Sequence, residues 1–257
     1  MSFLEAIVLG IVQGLTEFLP VSSSGHLVIG ETLFGLDEPG VAFEAFLHGA
    51  TLLAVLVYFR RRIVRIVTDR SWSYAGKLVV GTIPAGIVGV LFESTVERAF
   101  ASPWLVVVTL LGTGAILFSL YALPERSTEV AEPSYLQAWW IGCAQMISIL
   151  PGVSRSGSTI VTARWLGLAP GAAAEFSFLL GVPAIAGAVI LQAGELGDAA
   201  AAGSTAVFLA GWAAALVAGL VAIALVFRLL ARQGFRLFGW YCWAVAAGFA
   251  AWLWWAP

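Results

Sequence analysis

Charge is what this sequence has least of. Of its 257 residues only 11% are charged and the net charge is −2, so no basic surface points to nucleic acid. Cysteine is almost absent. Cys143 and Cys242 both sit in apolar stretches, with neither framework spacing nor a metal pattern, and say little about redox compartment. The N-terminus lacks a basic region ahead of an apolar run, and Glu5, Gln13 and Glu17 interrupt its first apolar stretch, so a cleaved signal peptide is not expected. The remainder is apolar: 60% of residues are hydrophobic and the mean hydropathy is +0.95. A soluble domain of this length cannot use that much apolar surface; a bilayer can. The expectation is an all-α polytopic membrane protein.

Six segments are long and apolar enough to cross as helices: roughly 41–59, 76–92, 103–122, 175–193, 205–227 and 237–255. Two further regions fit badly as single spans. Residues 4–30 carry Gln13, Glu17, Pro20, three serines and His26, and residues 136–165 carry Gln145, Pro151, Gly152, Arg155 and several hydroxyls. Such residues break a helix and free backbone groups, which membrane depth tolerates only inside protein or beside a water-filled cavity. Both regions therefore read as re-entrant helical hairpins.

Loop charge sets the orientation. The 60–77 loop holds Arg60, Arg61, Arg62, Arg65, Arg70 and Lys77 against Asp69, and the 228–236 loop holds Arg228, Arg232 and Arg236, so both should be cytoplasmic. Parity between them closes only if 136–165 enters and leaves on one side. Residues 1–40 then begin and end outside, with Glu31, Asp37 and Glu38 in the exposed connection. The 124–135 loop, with Glu125, Arg126, Glu129 and Glu132, has no positive bias of its own. Trp252, Trp254 and Trp255 suit an aromatic belt at the outer surface, and Gly86 and Gly89 suit helix packing.

An offset of 132 residues aligns the two halves: Gly10-Ile11-Val12-Gln13 with Gly142-Cys143-Ala144-Gln145, Val21 to Gly25 with Val153 to Gly157, and Phe46-Leu47-His48-Gly49 with Phe178-Leu179-Leu180-Gly181. The chain reads as one membrane domain, residues 1–257, with repeat 1 over about 1–123 (hairpin 4–30) and repeat 2 over about 136–257 (hairpin 136–165). Three spans between the hairpins make the second copy inverted, an architecture that also suits transporters.

The chemistry gathers in the hairpins. Gln13 and Glu17 share a face of the first half-helix, and Gly10 and Gly14 allow another helix close to it. Ser22, Ser23, Ser24 and Gly25 turn the chain into a helix start near His26. In the second hairpin Ser154, Arg155, Ser156, Gly157, Ser158 and Thr159 supply hydroxyls, another helix start and a guanidinium suited to phosphate. A serine before a helix often serves only as a cap, which suffices for Ser22, Ser24, Ser154 and Ser156. Intramembrane Glu17, His26 and Arg155 are costly to bury and so point to function. Glu44, His48 and Glu175 either line the same cavity or pair structurally. Glu17, His26, a serine and Arg155 together suit phosphoryl transfer, with Glu17 able to hold a hard cation.

The run Gln13-Gly14-Leu15-Thr16-Glu17-Phe18-Leu19-Pro20-Val21-Ser22-Ser23-Ser24-Gly25-His26, with Pro151-Gly152-Val153-Ser154-Arg155-Ser156-Gly157, closely resembles the two signature motifs of the undecaprenyl-diphosphatases of the bacitracin-resistance type. The resemblance spans essentially the whole chain. It implies removal of the terminal phosphate of undecaprenyl diphosphate, recycling of the lipid carrier for wall polymers, and bacitracin resistance. By motif position it implies Glu17, Ser23, His26 and Arg155 as catalytic residues. Gln13, Ser22, Ser24, Gly25, Ser154, Ser156, Gly157 and Thr159 are then the substrate-binding candidates. It also implies a divalent cation, Mg²⁺ or Ca²⁺, with Glu17 and Gln13 as candidate ligands; many members carry glutamate where this chain has Gln13. Expected partners are a polyprenyl diphosphate lipid and the bilayer, with no nucleic acid and a homodimer left open. The expected location is the plasma (inner) membrane with the site open to the outer, periplasmic face. A lipid-phosphate flippase is the competing reading, and a scaffold gives no reason for so many costly polar groups.

Overall fold

The computed structural model describes residues 1–34, 41–123, 129–191, 205–231 and 234–255. Asp37, Glu38, Glu125, Arg126 and Arg232 lie outside the described residues. Within them the chain is all-α, apart from an isolated bridge between Val130 and Leu168. The first hairpin is α1 (Phe3–Phe18) and α2 (Ser23–Phe34); α3 (Val41–Tyr58) and α4 (Arg60–Thr68) come next, then α5 (Trp72–Leu91), α6 (Glu93–Phe100) and α7 (Pro103–Phe118). The second hairpin is α8 (Tyr135–Ile147) and α9 (Arg155–Trp165), followed by α10 (Pro170–Leu191), α11 (Thr205–Ala231) and α12 (Leu237–Trp255).

Five helical stretches are long and apolar enough to span a membrane: Trp72–Leu91, Pro103–Ala122, Pro170–Ile190, Thr205–Leu230 and Gly234–Trp255. The sixth candidate is Phe43–Tyr58 with Arg60–Thr68, bent by 65°. Their outer faces are what lipid requires. Val79, Ile83 and Ile87 on α5, and Val217, Val221 and Leu225 on α11, form exposed apolar stripes at helical spacing. This is a multi-pass membrane protein.

Both hairpins open with the same device. Ser2 Oγ accepts from Glu5 N and Glu5 Oε2 accepts from Ser2 N at 2.7 Å, a capping box that starts α1. At the same offset, Ser134 and Gln137 start α8, with Ser134 N donating to Gln137 Oε1 at 2.6 Å.

The helix pairs obey the offset too. α1 lies along α11, with Gly10 against the Gly211 carbonyl and Gly14 against that of Ala215, while α8 lies along α5, with Gly142 against the Gly81 carbonyl. In the bilayer lipid is as apolar as any side chain, so close backbone approach rather than water exclusion drives this association. Helices α3 and α10 pack together, as do α7 and α12. Two aromatic side chains anchor the centre: Phe18 and Phe178 are fully buried and meet edge to face at 5.4 Å.

Two expectations change. The arginines of 60–77 do not lie on a loop: Arg60 to Arg65 sit on α4, whose Ile66 is buried. A helix here satisfies its own backbone while leaving Arg60, Arg61 and Arg65 exposed. Gly86 and Gly89 do not serve packing, because a Cβ at either would meet open space. Two acids of the 124–135 connection, Glu129 and Glu132, pair with arginines from elsewhere. Arg62 reaches Glu132 at 3.0 Å and Glu175 at 2.8 Å, and Arg164 reaches Glu129 at 2.7 Å. That network brings residues 129–132 to the same end of the molecule as α4. Glu175 is thereby paired structurally.

Candidate active site

Each hairpin turns through one residue in the left-handed region. Ser22 has φ 70° and Gly152 has φ 88°, conformations that a side chain ordinarily resists. At Ser22 the hydroxyl offsets the strain by accepting from Gly25 N at 3.3 Å, while Ser22 and Ser24 hydroxyls lie 3.3 Å apart. The second tip repeats both contacts: Ser154 Oγ caps α9 by accepting from Gly157 N at 3.0 Å, and the Ser154 and Ser156 hydroxyls lie 3.3 Å apart. Only glycine fits at 152, since a Cβ there would fall on the Thr109 hydroxyl.

Helix α7 braces this second tip. Thr109 Oγ1 donates to the Pro151 carbonyl at 2.5 Å, and Thr113 Oγ1 donates to the Gly152 carbonyl at 2.8 Å while accepting from Ser154 N at 3.1 Å. A broken helix at membrane depth must find such partners for its freed backbone groups.

The tips then meet. Gly25 rests against the backbone of Gly152, Gly157 rests against Pro20, and Ser156 Oγ donates to the Leu19 carbonyl at 3.1 Å. Thr159, fully buried, donates to the Arg155 carbonyl at 2.7 Å and shares a hydrogen bond with Ser177 Oγ at 2.6 Å.

Arg155 and Glu17 face each other across this junction. Arg155 Nη2 donates to Glu17 Oε1 at 2.6 Å, and Arg155 Nη1 donates to the Ser177 carbonyl at 3.3 Å. The other oxygen of Glu17, Oε2, accepts from Ser23 Oγ at 2.7 Å and from Gln13 Nε2 at 3.2 Å. Four sequence candidates, Gln13, Glu17, Ser23 and Arg155, are thus one cluster built by both hairpins. The carboxylate is almost wholly buried, so the guanidinium is its compensation for desolvation.

His26 is engaged differently from expectation. Its Nδ1 bonds the Ser22 carbonyl at 2.8 Å; a carbonyl only accepts, so Nδ1 carries a hydrogen. Nε2 meets the hydroxyl of Tyr241 at 2.9 Å, and the two rings stack at 5.6 Å. Tyr241, on α12, was not anticipated; a lone phenol in an apolar helix gives no signal of its partner. Thr109, Thr113 and Ser177 were missed for the same reason. His48 joins the cluster, with Nε2 3.7 Å from Glu17 Oε2.

The chain as a whole matches a known family. The family model described as "Bacitracin resistance protein BacA" matches residues 6–248. The chain belongs to this family. Three curated relatives match it over nearly their full length. An undecaprenyl-diphosphatase of Rubrobacter xylanophilus is 39% identical over 267 residues, covering 98% of each chain. One of Methanobrevibacter smithii is 38% identical over 266 residues, covering 95% of each. One of Geobacter metallireducens is 40% identical over 261 residues, covering 96% of this chain and 97% of that relative. The BacA match takes in both hairpin tips and the whole Glu17–Arg155 cluster.

A divalent cation can be tested against this donor set. Among the described residues no cluster of three or more His, Cys, Asp or Glu side chains occurs. Gln13 Oε1, however, is buried without a hydrogen-bond partner beside the Glu17 carboxylate. An orphaned amide oxygen next to a carboxylate fits a hard cation of the kind that takes one or two protein oxygens and completes its shell with phosphate and water.

Proposed function

We propose that this BacA-family chain hydrolyses undecaprenyl diphosphate to undecaprenyl phosphate and inorganic phosphate. The product lipid returns to cell-wall synthesis, and depletion of the diphosphate lipid confers bacitracin resistance. The observation that carries the reading is the Glu17–Arg155 pair, closed at 2.6 Å between two hairpins with a serine hydroxyl on the same carboxylate. Phosphoryl transfer needs positioning and charge neutralisation more than covalent machinery, and this cluster offers both in a largely buried setting.

In this reading the lipid tail stays in the bilayer and the diphosphate enters between the hairpins from the outer face of the inner membrane. Arg155 turns from Glu17 to the terminal phosphate, helped by N–H groups at the starts of α2 and α9. Ser23 Oγ, aimed by Glu17, attacks the terminal phosphorus; the Ser23 O–P bond forms and the bond to the bridging oxygen breaks, releasing the lipid monophosphate. His26, three residues further along α2 on the same side, takes the serine proton at Nε2 once Tyr241 yields that position. Water then cleaves the phosphoserine and the proton returns to Ser23. A cation held by Glu17 and Gln13 would neutralise phosphate oxygens as charge develops.

The pairing of α1 with α11 and of α8 with α5, related by the 132-residue offset, supports two inverted copies and keeps a lipid-phosphate transporter in view as the second reading. Phosphate release in detergent, where no gradient exists, separates the two. The enzyme releases phosphate from undecaprenyl diphosphate and loses this in Arg155→Ala; binding without release would favour the transporter. EDTA should stop release if the cation belongs to the reaction.

A further inference from the structure

His48 is one of only two histidines in the chain, and the hydrolytic scheme proposed for the cluster does not use it. It sits on α3, part-buried, with Nδ1 bonded to the Glu44 carbonyl at 2.9 Å. Because a carbonyl only accepts, Nδ1 holds a hydrogen, and the lone pair of a neutral ring is left on Nε2. That nitrogen is directed at Glu17 Oε2 from 3.7 Å, beyond the reach of an N–H···O hydrogen bond. With the ring in that neutral form, two acceptors face each other across a gap. A third acceptor belongs to the side chain that bonds the same carboxylate. Gln13 is wholly buried, its Nε2 rests on the same Glu17 oxygen at 3.2 Å, and its Oε1 has no partner.

We propose that His48 is a third protein ligand of a divalent-cation site shared with Glu17 and Gln13, which rests on the reading of the cluster as a cation-assisted phosphatase. The ring is already arranged as metal-bound imidazoles are: one nitrogen donates to a backbone carbonyl, which fixes the tautomer and aims the other. The site would hold one carboxylate oxygen, one amide oxygen and one imidazole nitrogen. Nitrogen in the set shifts preference away from Mg²⁺ and Ca²⁺, which favour all-oxygen shells, towards first-row transition ions. Arg155, 2.6 Å from Glu17, opposes a second positive charge until phosphate draws the guanidinium away. The cation should therefore bind best together with a diphosphate group.

The test uses the tag-free chain in detergent, stripped with EDTA and given Mn²⁺ with methylenediphosphonate as the headgroup stand-in. Pulsed electron paramagnetic resonance of the bound Mn²⁺ should show the ¹⁴N modulation of a coordinated imidazole. It should persist in His26→Asn and vanish in His48→Gln. The Mn²⁺ concentration for half-occupancy should rise roughly 10–100-fold in His48→Gln, and preference for Mn²⁺ over Ca²⁺ should fall with it. Bound Mn²⁺ without ¹⁴N modulation in the unaltered chain would overturn the proposal even if the variant misfolds. So would modulation lost with His26 and kept without His48. Absence of bound Mn²⁺ would also overturn it. The cation-assisted reading would still stand if EDTA stops phosphate release, and would fall too if release continues.

Discussion

Glu17 and Arg155 are 138 residues apart in the chain and 2.6 Å apart in the fold. One ends the first half-helix of the first hairpin and the other starts the second half-helix of the second. The pair is therefore both one fastening between the hairpins and the centre of the candidate site.

A buried ion pair is destabilised more by losing one partner than by losing its charge interaction alone. Glu17→Ala should lower unfolding stability by about 3 kcal/mol or more, because Arg155 is left without its acceptor. Glu17→Gln, which keeps an oxygen facing the guanidinium, should cost clearly less while still removing most of the phosphate release. Thermal unfolding in detergent, run beside the phosphate assay, checks both.

Among the hydrogen bonds of the described residues, the Ser23 hydroxyl makes one, to Glu17 Oε2 at 2.7 Å. Ser23→Ala should cost about 1.5–3 kcal/mol, the worth of a hydrogen bond to a charged group, and still fold. Its phosphate release should fall roughly 10³-fold or more, as expected for a lost nucleophile. Acid-quenched turnover of substrate labelled in the terminal phosphate should show label on Ser23 and none in the variant.

Close helix approach makes another prediction. Gly142→Ala would drive a methyl into the Gly81 carbonyl, whereas Gly86→Ala meets open space. The first should cost about 1–3 kcal/mol by overpacking and reduce activity by shifting the hairpin that bears Arg155. The second should be neutral in both unfolding and phosphate release.

Much of this was legible from residue pattern. Broken apolar segments with buried acid, imidazole and guanidinium forced the hairpins, and the 132-residue offset, seen first in Gly10 and Gly142, reappears in capping boxes and tip contacts. What could not be read is contact between distant helices. Nothing near Tyr241 announces that its hydroxyl meets His26. His48 was visible as a polar residue in an apolar span, but its direction towards Glu17 depends on how α3 packs. The arginines of α4 declared their charge without declaring their helix, since charge pattern reports a side of the membrane rather than a backbone conformation.

The threonines of α7 are in that unreadable class, and their roles differ. Thr113→Val leaves the Gly152 carbonyl and Ser154 N without partners, and Thr109→Val removes the donor to the Pro151 carbonyl. An unsatisfied buried group costs about 1–3 kcal/mol, so Thr113→Val should be the more damaging. Its effect should reach activity, because Ser154 caps the helix that begins at Arg155. Unfolding and phosphate release of the two variants give the order.

The most direct test of the shared site is a double-mutant cycle on kcat/KM for phosphate release from undecaprenyl diphosphate, using Glu17→Gln, Arg155→Lys and the combination. If both side chains act on one phosphoryl group, each single change removes most of the activity and the double variant is no slower than the worse single one. Losses that multiply in the double variant, or an Arg155→Lys chain that works at the parental rate, would contradict the account.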